Sequence, residues 1–384
     1  MASICGSPVC AGGKPRLKFT YSGDYVVRKD GVVELLTSGT IVFLEPKVID
    51  VFMVGGGGKG GRCVTTSSAA YYTARGGGGG GYTRTLKRLA VQGSYEITIG
   101  EGSTAAGVDG GSTAWGSPHT VPGGKSATEA PSAPTAAGPG MAGGSGGGGA
   151  VLSNGDYGTG GSDGSNGESG FFGSTSGVNG GTGQGFTTRE FGEATGKLYA
   201  GGGGGGRYII SQTPIVSNGG AGGGGTGGWA GGSSGQLQAP AAGGANTGGG
   251  GGGAVANYSG GTQGGSGGSG IVCFREAQEL PELAGTWVLY ERLYPTENTL
   301  NEIVDFTAGS SITSINKSYV GMNINPSNML AYLESKSSVY GDAIYSFKNN
   351  SWQQLKYKYI TFPAGATASD EFRAWLASNA TKQA

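Results

Sequence analysis

One histidine, His119, serves all 384 residues. A lone histidine in a Pro-flanked loop builds no metal cluster, and its ordinary role there is that of a solvated loop side chain. The four cysteines, Cys5, Cys10, Cys63 and Cys273, are too few and too scattered for a disulfide scaffold, and no pair has zinc spacing. Cys5 and Cys10 bracket a flexible peptide, and Cys273 sits in the apolar run 271–274, where a buried thiol is expected. Proline is scarce at 14 and glycine follows no strict Gly-X-Y period, which excludes collagen. Charge of either sign is balanced, 25 basic against 25 acidic residues. No basic stripe suggests nucleic acid, and Arg62, Arg75 and Arg207 stand too far apart to form an arginine-glycine segment. No stretch approaches the roughly 20 apolar residues of a membrane span. The start, Met1-Ala2-Ser3-Ile4, lacks the basic region and apolar core of a signal peptide, so synthesis in a cytosol is expected.

What the chain has is glycine, 87 residues of it, with only eleven outside 55–270. Three runs contain six consecutive glycines (Gly76–Gly81, Gly201–Gly206, Gly248–Gly253) and three contain four (Gly55–Gly58, Gly146–Gly149, Gly222–Gly225). Glycine weakens helices and sheets alike, because ordering it costs the most backbone entropy and it buries no side chain. Two states tolerate such a region. One is a linker-like coil. The other is a bundle of extended polyproline-II-type helices packed so closely that only glycine fits. A six-residue tract of that kind spans about 19 Å. Its Cα–H···O contacts add roughly 0.5–1 kcal/mol each, against ~1–2 kcal/mol to order each residue. Order therefore requires nearly complete hydrogen bonding between tracts.

The flanks favour order. Tyr25–Arg28 and Val32–Thr37 surround Lys29-Asp30-Gly31, a hairpin signal. A turn at Ser38-Gly39 leads to Thr40–Leu44, Pro46 breaks the pattern, and Val48–Val54 reads as a central strand buried on both faces. Tyr82–Val91 and Ser94–Ile99 read as an antiparallel pair turning at Gln92-Gly93. Residues 117–140 form a Pro-rich excursion, and 271–275 close the region as another strand. Strands at both ends suggest a β base from which the tracts are launched. The last hundred residues have ordinary composition, with strands near Thr286–Tyr290, Asn301–Thr307, Ile344–Phe347 and Leu355–Phe362. A closing helix is expected from the Ser369 cap, Asp370 and Glu371 in its first turn, and Phe372, Trp375 and Leu376 on one face. The fold class expected is mainly β: an antiparallel β-sandwich base carrying a polyglycine II bundle, then a small β-rich module ending in one α-helix. The expected divisions are a peptide over 1–14, the glycine-rich domain over 15–276, a linker over 277–283 and the C-terminal module over 284–384.

Catalytic patterns are absent. GxGxxG recurs by accident where glycine is this dense, and Gly124-Lys125-Ser126 lacks the earlier glycine of a phosphate loop, since His119 stands there. Lys59 and Lys197 follow glycines with no Ser or Thr after them. Asp156, Asp163, Glu168, Glu190 and Glu193 are carboxylates that sequence cannot place at a glycosidase separation. Neither an enzyme, a cofactor nor a metal is expected. Recognition by loops on a rigid scaffold remains, with aromatic faces as platforms for sugars or partners. Trp229 and Trp115, set among small residues, lead the candidates, followed by Phe171, Phe172, Tyr157, Tyr208, Tyr258, Tyr71 and Tyr72. The competing role for each is to cap and seal a bundle short of side chains.

Several strings together carry a resemblance. They are Val51-Phe52-Met53-Val54 into Gly55–Gly58, Gly76–Gly81 into Tyr82-Thr83-Arg84-Thr85, and Tyr95-Glu96-Ile97-Thr98-Ile99-Gly100-Glu101-Gly102. Gly110-Gly111-Ser112-Thr113-Ala114-Trp115-Gly116 and Gly267-Gly268-Ser269-Gly270-Ile271-Val272 complete the set. Over 17–275 the chain resembles the glycine-rich domain of tail proteins from phages and prophages of Gram-positive gut bacteria. A similar architecture occurs in the anaplastic lymphoma kinase ectodomain, which carries extracellular cysteines, and in tail-fibre adhesins tipped by polyglycine II bundles. The C-terminal module looks like one that recurs at the ends of such tail proteins. The resemblance implies a virion tail protein, made in the host bacterial cytoplasm, acting as an adhesin or receptor-binding tip. Its partners would be a host cell-surface glycan or protein and other tail or virion subunits, with a homotrimer compatible and neither nucleic acid nor membrane insertion involved. The alternatives are a virion or tail decoration protein without a host-binding role, and a flexible glycine-rich spacer between two β modules.

Overall fold

A computed structural model describes residues 17–63, 73–128, 138–150, 164–169, 181–182, 185, 188–209, 216–231, 236–257 and 260–277 of the glycine-rich part. In the C-terminal part it describes 279–280, 282–289, 300–304, 317–320, 345–348, 351–354, 359–362, 373, 377 and 380–382. The chain divides into two compact units, Met1–Ala277 and Gln278–Ala384. In chain order the first unit contains β1 (Phe19–Tyr21), β2 (Tyr25–Val27), β3 (Val33–Leu35), β4 (Gly39–Val54), β5 (Thr73–Ala74), β6 (Thr83–Thr98) and β7 (Thr113–Trp115). It continues with β8 (His119–Val121), a 3-10 turn (Glu190–Gly192), β9 (Arg207–Ile209), β10 (Trp229–Gly231), β11 (Leu237–Gln238), β12 (Val255–Asn257), β13 (Gly260–Gly261) and β14 (Ile271–Glu276).

Eight strands make one sheet in the order β2-β3-β14-β4-β6-β7-β8, with β1 also paired to β4. All its described pairings are antiparallel. The run Ile49–Val54 is buried throughout and lies between β14 and β6, as its continuous apolar character predicts. The sheet is rolled. Three strand spacings of about 4.8 Å separate β14 from β7 in a flat sheet, yet the rings of Trp115 and Phe274 are 5.6 Å apart. One aromatic cluster therefore fills the inside, with Phe43 touching both Trp115 and Phe274.

The expected turn at Gln92-Gly93 does not exist. β6 runs without a break along β4, and Gly93 pairs with Phe43 at a φ of +76°. The register shifts between Phe43 and Lys47, so Leu44, Glu45 and Pro46 form the irregularity on the β4 side. A bulge is where a strand can hold a proline, which has no ladder donor. The Gly signal is real, but it marks this irregularity and not a reversal.

Three strands run straight into glycine: β4 into 55–63, and, reading backwards, β6 into 76–82 and β14 into 262–270. The amides of Gly55, Gly58 and Gly61 donate to the carbonyls of Tyr82, Gly79 and Gly76. Those of Gly57, Gly60 and Cys63 donate to Gly268, Gly265 and Thr262. In return Gly124 and Ala127 donate to Gly56 and Lys59, and Gly251 and Ala254 donate to Gly58 and Gly61. Every ladder advances by three residues, the period of a polyproline II helix. The same rule holds for 76–82, whose amides turn in succession to three tracts. Gly77 and Gly80 donate to Gly148 and Ser145, Gly78 and Gly81 to Gly251 and Gly248, and Gly79 and Tyr82 to Lys125 and Pro122. These tracts form a bundle bonded in all directions. Most amides of these tracts find a partner, so the entropy lost by ordering glycine is offset by hydrogen bonds worth ~0.5–1.5 kcal/mol each.

Spacing inside the bundle leaves no room for a side chain. A Cβ on Gly57 would meet the carbonyl oxygen of Gly249, one on Gly203 that of Gly251, and one on Gly250 that of Gly78.

The second unit is also antiparallel: β15 (Gly285–Leu289), β16 (Leu300–Val304), β17 (Lys317–Val320), β18 (Tyr345–Lys348), β19 (Ser351–Gln354), β20 (Tyr359–Phe362) and β21 (Ala380–Lys382). β15 lies between β20 and β21, and β16–β17 and β18–β19 are two-stranded. The expected closing helix falls mostly outside the described residues. Arg373 and Ala377 are helical, and the chain then returns to the strand β21 instead of ending in the helix.

Gly57→Ala is expected to cost at least about 3 kcal/mol, because the only relief is to push two tracts apart. Gly260→Ala, whose Cβ meets only Leu237 Cδ2 at 3.6 Å, should change stability by less than about 0.5 kcal/mol. Denaturant midpoints of the two variants check this.

Candidate functional site

The rolled sheet holds one end of the bundle, where β4, β6, β8 and β14 meet glycine. The opposite end is closed by two small sheets, β11-β10-β9 and β13-β12-β5. They form because tracts 201–206, 224–228 and 248–254 reach that end together. Each then meets residues with side chains: Arg207-Tyr208, Trp229-Ala230 and Val255-Ala256. Strands β9 and β10 are parallel, with Trp229 opposite Arg207 and Ala230 opposite Tyr208, whereas β11 is antiparallel, with Gln238 opposite Trp229. One row of the sheet, Tyr208, Ala230 and Leu237, packs with Val255 in a small apolar cluster. The adjacent row, Arg207, Trp229 and Gln238, lies on the other face. Arg207 is buried, Trp229 half-buried and Gln238 exposed. The indole Nε1 of Trp229 donates to Gln238 Oε1 at 2.6 Å. Beside this sheet, Cys63 packs against Ala254 and Ala256. Arg62, Arg75 and Arg207, distant in sequence, come to this end on tracts bonded to each other, since Gly61 donates to Gly76 and Gly206 to Arg75. Burial holds the Arg207 guanidinium below its ordinary pKa.

The aromatic candidates separate sharply. Trp229 stands on the outer row of the capping sheet. Tyr208 is 7% exposed with its ring in the apolar cluster, so it seals the cap rather than presenting a face. Trp115 is 1% exposed and belongs to the core of the rolled sheet, in contact with Phe43, Tyr95 and Phe274. The small neighbours that suggested an open loop instead let its strand hairpin close tightly over the core, which corrects its candidacy as a contact residue. Phe171, Phe172, Tyr157, Tyr258, Tyr71 and Tyr72 lie outside the described residues. The described residues nearest Tyr71, Tyr72 and Tyr258 are in β5, β12 and β13, at the capped end. Gln238 and Arg207 were missed by sequence reasoning, because only strand register places them beside Trp229.

A second polar cluster lies at the sheet end. Oxygens of Glu34 and Glu190 and the Cys273 sulfur come within 4.8 Å of one another. Side chains of the chain itself bond these groups. Arg28 grips Glu190 with two bonds of 2.7 Å and reaches Glu34 at 3.2 Å, and Tyr199 donates to Glu190 at 3.3 Å. The Tyr199 hydroxyl also lies 3.7 Å from Cys273 Sγ. The network ties the turn at 190–192 to the β2–β3 hairpin and β14, which fixes the start of the tract 201–206. Phe191 sits in the left-handed region at φ 54°, a strained position for a residue with a side chain. It is held by Phe52 and by the Arg275 guanidinium 4.2 Å from its ring. Glu193 is paired with Arg275, so Glu190 and Glu193 serve two different cations. Lys125, in the phosphate-loop look-alike, is paired with Asp109 at 2.6 Å. Among the described residues no helix is long and apolar enough to cross a membrane.

Glu190→Ala removes two charged hydrogen bonds from Arg28, which keeps Asp30 and Glu34 as partners, and should cost about 1.5–3 kcal/mol in a denaturation experiment. Burial raises the pKa of both the Cys63 and the Cys273 thiols, the second further than the first. A raised pKa means little thiolate at pH 8. A maleimide or disulfide reagent should therefore leave both unmodified in the native protein and modify both after unfolding, as read by peptide mass mapping.

The family model for a glycine-rich domain matches residues 37–277, from just before β4 to the end of β14. No curated protein matches the chain. The matched span contains the bundle, both capping sheets and the central strands of the base, and the chain belongs to the glycine-rich domain family.

Proposed function

We propose that this chain is a phage or prophage tail structural protein whose bundle acts as an adhesin, a receptor-binding tip. The observation that carries the reading is the alternating course of the glycine tracts. They run from the rolled sheet to the capping sheets and back, and so deliver a series of chain reversals to one end of a stiff body. Segments 64–72, 232–235 and 258–259 each leave and rejoin described residues at that end. A scaffold that fixes its tracts largely through backbone bonds leaves such connections free to vary in sequence without loss of fold, which suits recognition of a changing surface. The C-terminal unit would join the chain to other tail subunits. Host cell-surface glycan or protein would meet the capped end, and the work would be binding and not catalysis. A flexible-spacer role has no support in a region whose amides are paired at intervals of three residues.

Electron microscopy of the parent particles with gold-labelled antibody against this chain tests the proposal. Gold at the distal tail is the expected result. Gold on the head or collar would replace the adhesin by a decoration protein, and unlabelled intact particles would remove the virion assignment altogether.

A further inference from the structure

We propose that the outer face of the β9–β10–β11 cap is a carbohydrate subsite, with the Trp229 indole as its platform and the Gln238 amide as its polar arm. The inference rests on the adhesin reading and names the class of ligand it takes.

Register is the first argument. Because Arg207, Trp229 and Gln238 are mutual strand partners, they share the face opposite the Tyr208, Ala230 and Leu237 row that is packed on Val255. Trp229 is therefore not a plug for that cluster. On its own strand it is preceded by Gly228 and followed by Ala230, buried on the other side, and then by Gly231. No side chain next to it along the strand shares its face.

Hydrogen bonding is the second. Donation from Nε1 to Gln238 Oε1 satisfies the only polar atom of the indole and anchors its edge to the neighbouring strand. What the pair still offers is a π face and the two N–H donors of the Gln238 amide, which have no other partner among the described residues. A hexopyranose has the complementary chemistry. One of its faces is a patch of weakly positive C–H groups that suits the negative face of an aromatic ring, and its edge carries hydroxyls that accept from an amide. Fixing the ring in advance also lowers the ordering cost of binding.

The surroundings decide against a protein hot spot. Anchors of that kind sit at the centre of desolvated apolar patches, but the large apolar side chains exposed among the described residues are Val26, Val27, Leu44, Val48 and Val108. None belongs to β9, β10 or β11. Among the described residues of its row, the Trp229 ring stands between a buried guanidinium and an exposed amide, a setting suited to a polar ligand with one apolar face.

The test uses the purified full chain on an array of immobilised neutral, N-acetylated and acidic oligosaccharides, beside Trp229→Ala, Trp229→Phe and Gln238→Ala. All three variants should keep the parent denaturation midpoint within a small shift, since Trp229 is only half-buried and Gln238 is exposed. Retention of pyranose glycans by the parent is expected. Trp229→Ala should weaken it at least about tenfold, Gln238→Ala about fivefold, and Trp229→Phe less than Trp229→Ala because a ring remains. No retained glycan, or retention that Trp229→Ala leaves unchanged, overturns the subsite. Binding of the same proteins to cells that the parent particle infects separates the two levels of the argument. If the chain binds cells and protease treatment of the cells, but not periodate oxidation of their glycans, abolishes binding, the adhesin stands and the carbohydrate subsite falls. If the chain binds no cells, the adhesin reading itself falls.

Discussion

Close approach of one backbone to another is the constraint on which this molecule depends. In the bundle, carbonyl oxygens occupy the places that Cβ atoms would need, at Gly57, Gly203 and Gly250 among many others. Glycine is thus required there for its missing volume, not for its freedom of rotation. The same proximity puts amide and carbonyl within bonding distance on neighbouring tracts, and the three-residue repeat turns successive amides toward different neighbours. Stability that an ordinary domain draws from apolar burial comes here largely from satisfied peptide groups. The largest apolar cluster among the described residues belongs to the rolled sheet. That sheet fixes where tracts 55–63, 76–82 and 262–270 begin or end, and so sets the register from which the rest of the bundle is paired.

Much of this was legible in the chain. The glycine runs and their framing strands pointed to a polyglycine II bundle on a β base, and Val48–Val54 announced a central strand. The Asp30-Gly31 hairpin and the strands β15, β16, β18 and β20 of the C-terminal unit were also expected, whereas β17, β19 and β21 were not. What could not be read is which tract bonds which, because runs of identical glycines carry no side-chain code for pairing. The capping sheets were invisible for a related reason. Strands as short as Trp229–Gly231 have no periodicity to detect, and they exist only because tracts deliver them side by side. Gly93 misled because a glycine at positive φ marks a turn in most sequences, whereas here it sits at a register irregularity inside one long strand. Trp115 misled in the same way: small neighbours suggested exposure and in fact allowed tight closure. The Arg28–Glu190 pair joins residues 162 positions apart, and nothing in composition links them.

The two ends of the glycine-rich unit have different chemistry, and the difference gives the functional proposal its direction. At the sheet end, ion pairs and a strained Phe191 lock the chain entry to tract 201–206 in one arrangement. At the capped end, the apolar clusters of the described residues are small and the sheets short, and Trp229 and Gln238 belong to neither cluster. In the proposed role the sheet end is the anchored end and the capped end the presenting one. The family assignment fits the scaffold, and the register of three short strands supplies the specific place to look.

Hydrogen exchange of the glycine amides tests the central claim most directly. If the tracts are bonded as described, the amides of Gly57–Gly61, Gly77–Gly81 and Gly250–Gly253 should exchange as slowly as those of β4 and β14, in one cooperative unit. Exchange of those amides at the rate of an unstructured glycine peptide, with β4 and β14 still protected, would contradict the account and make the region a coil strung between strands.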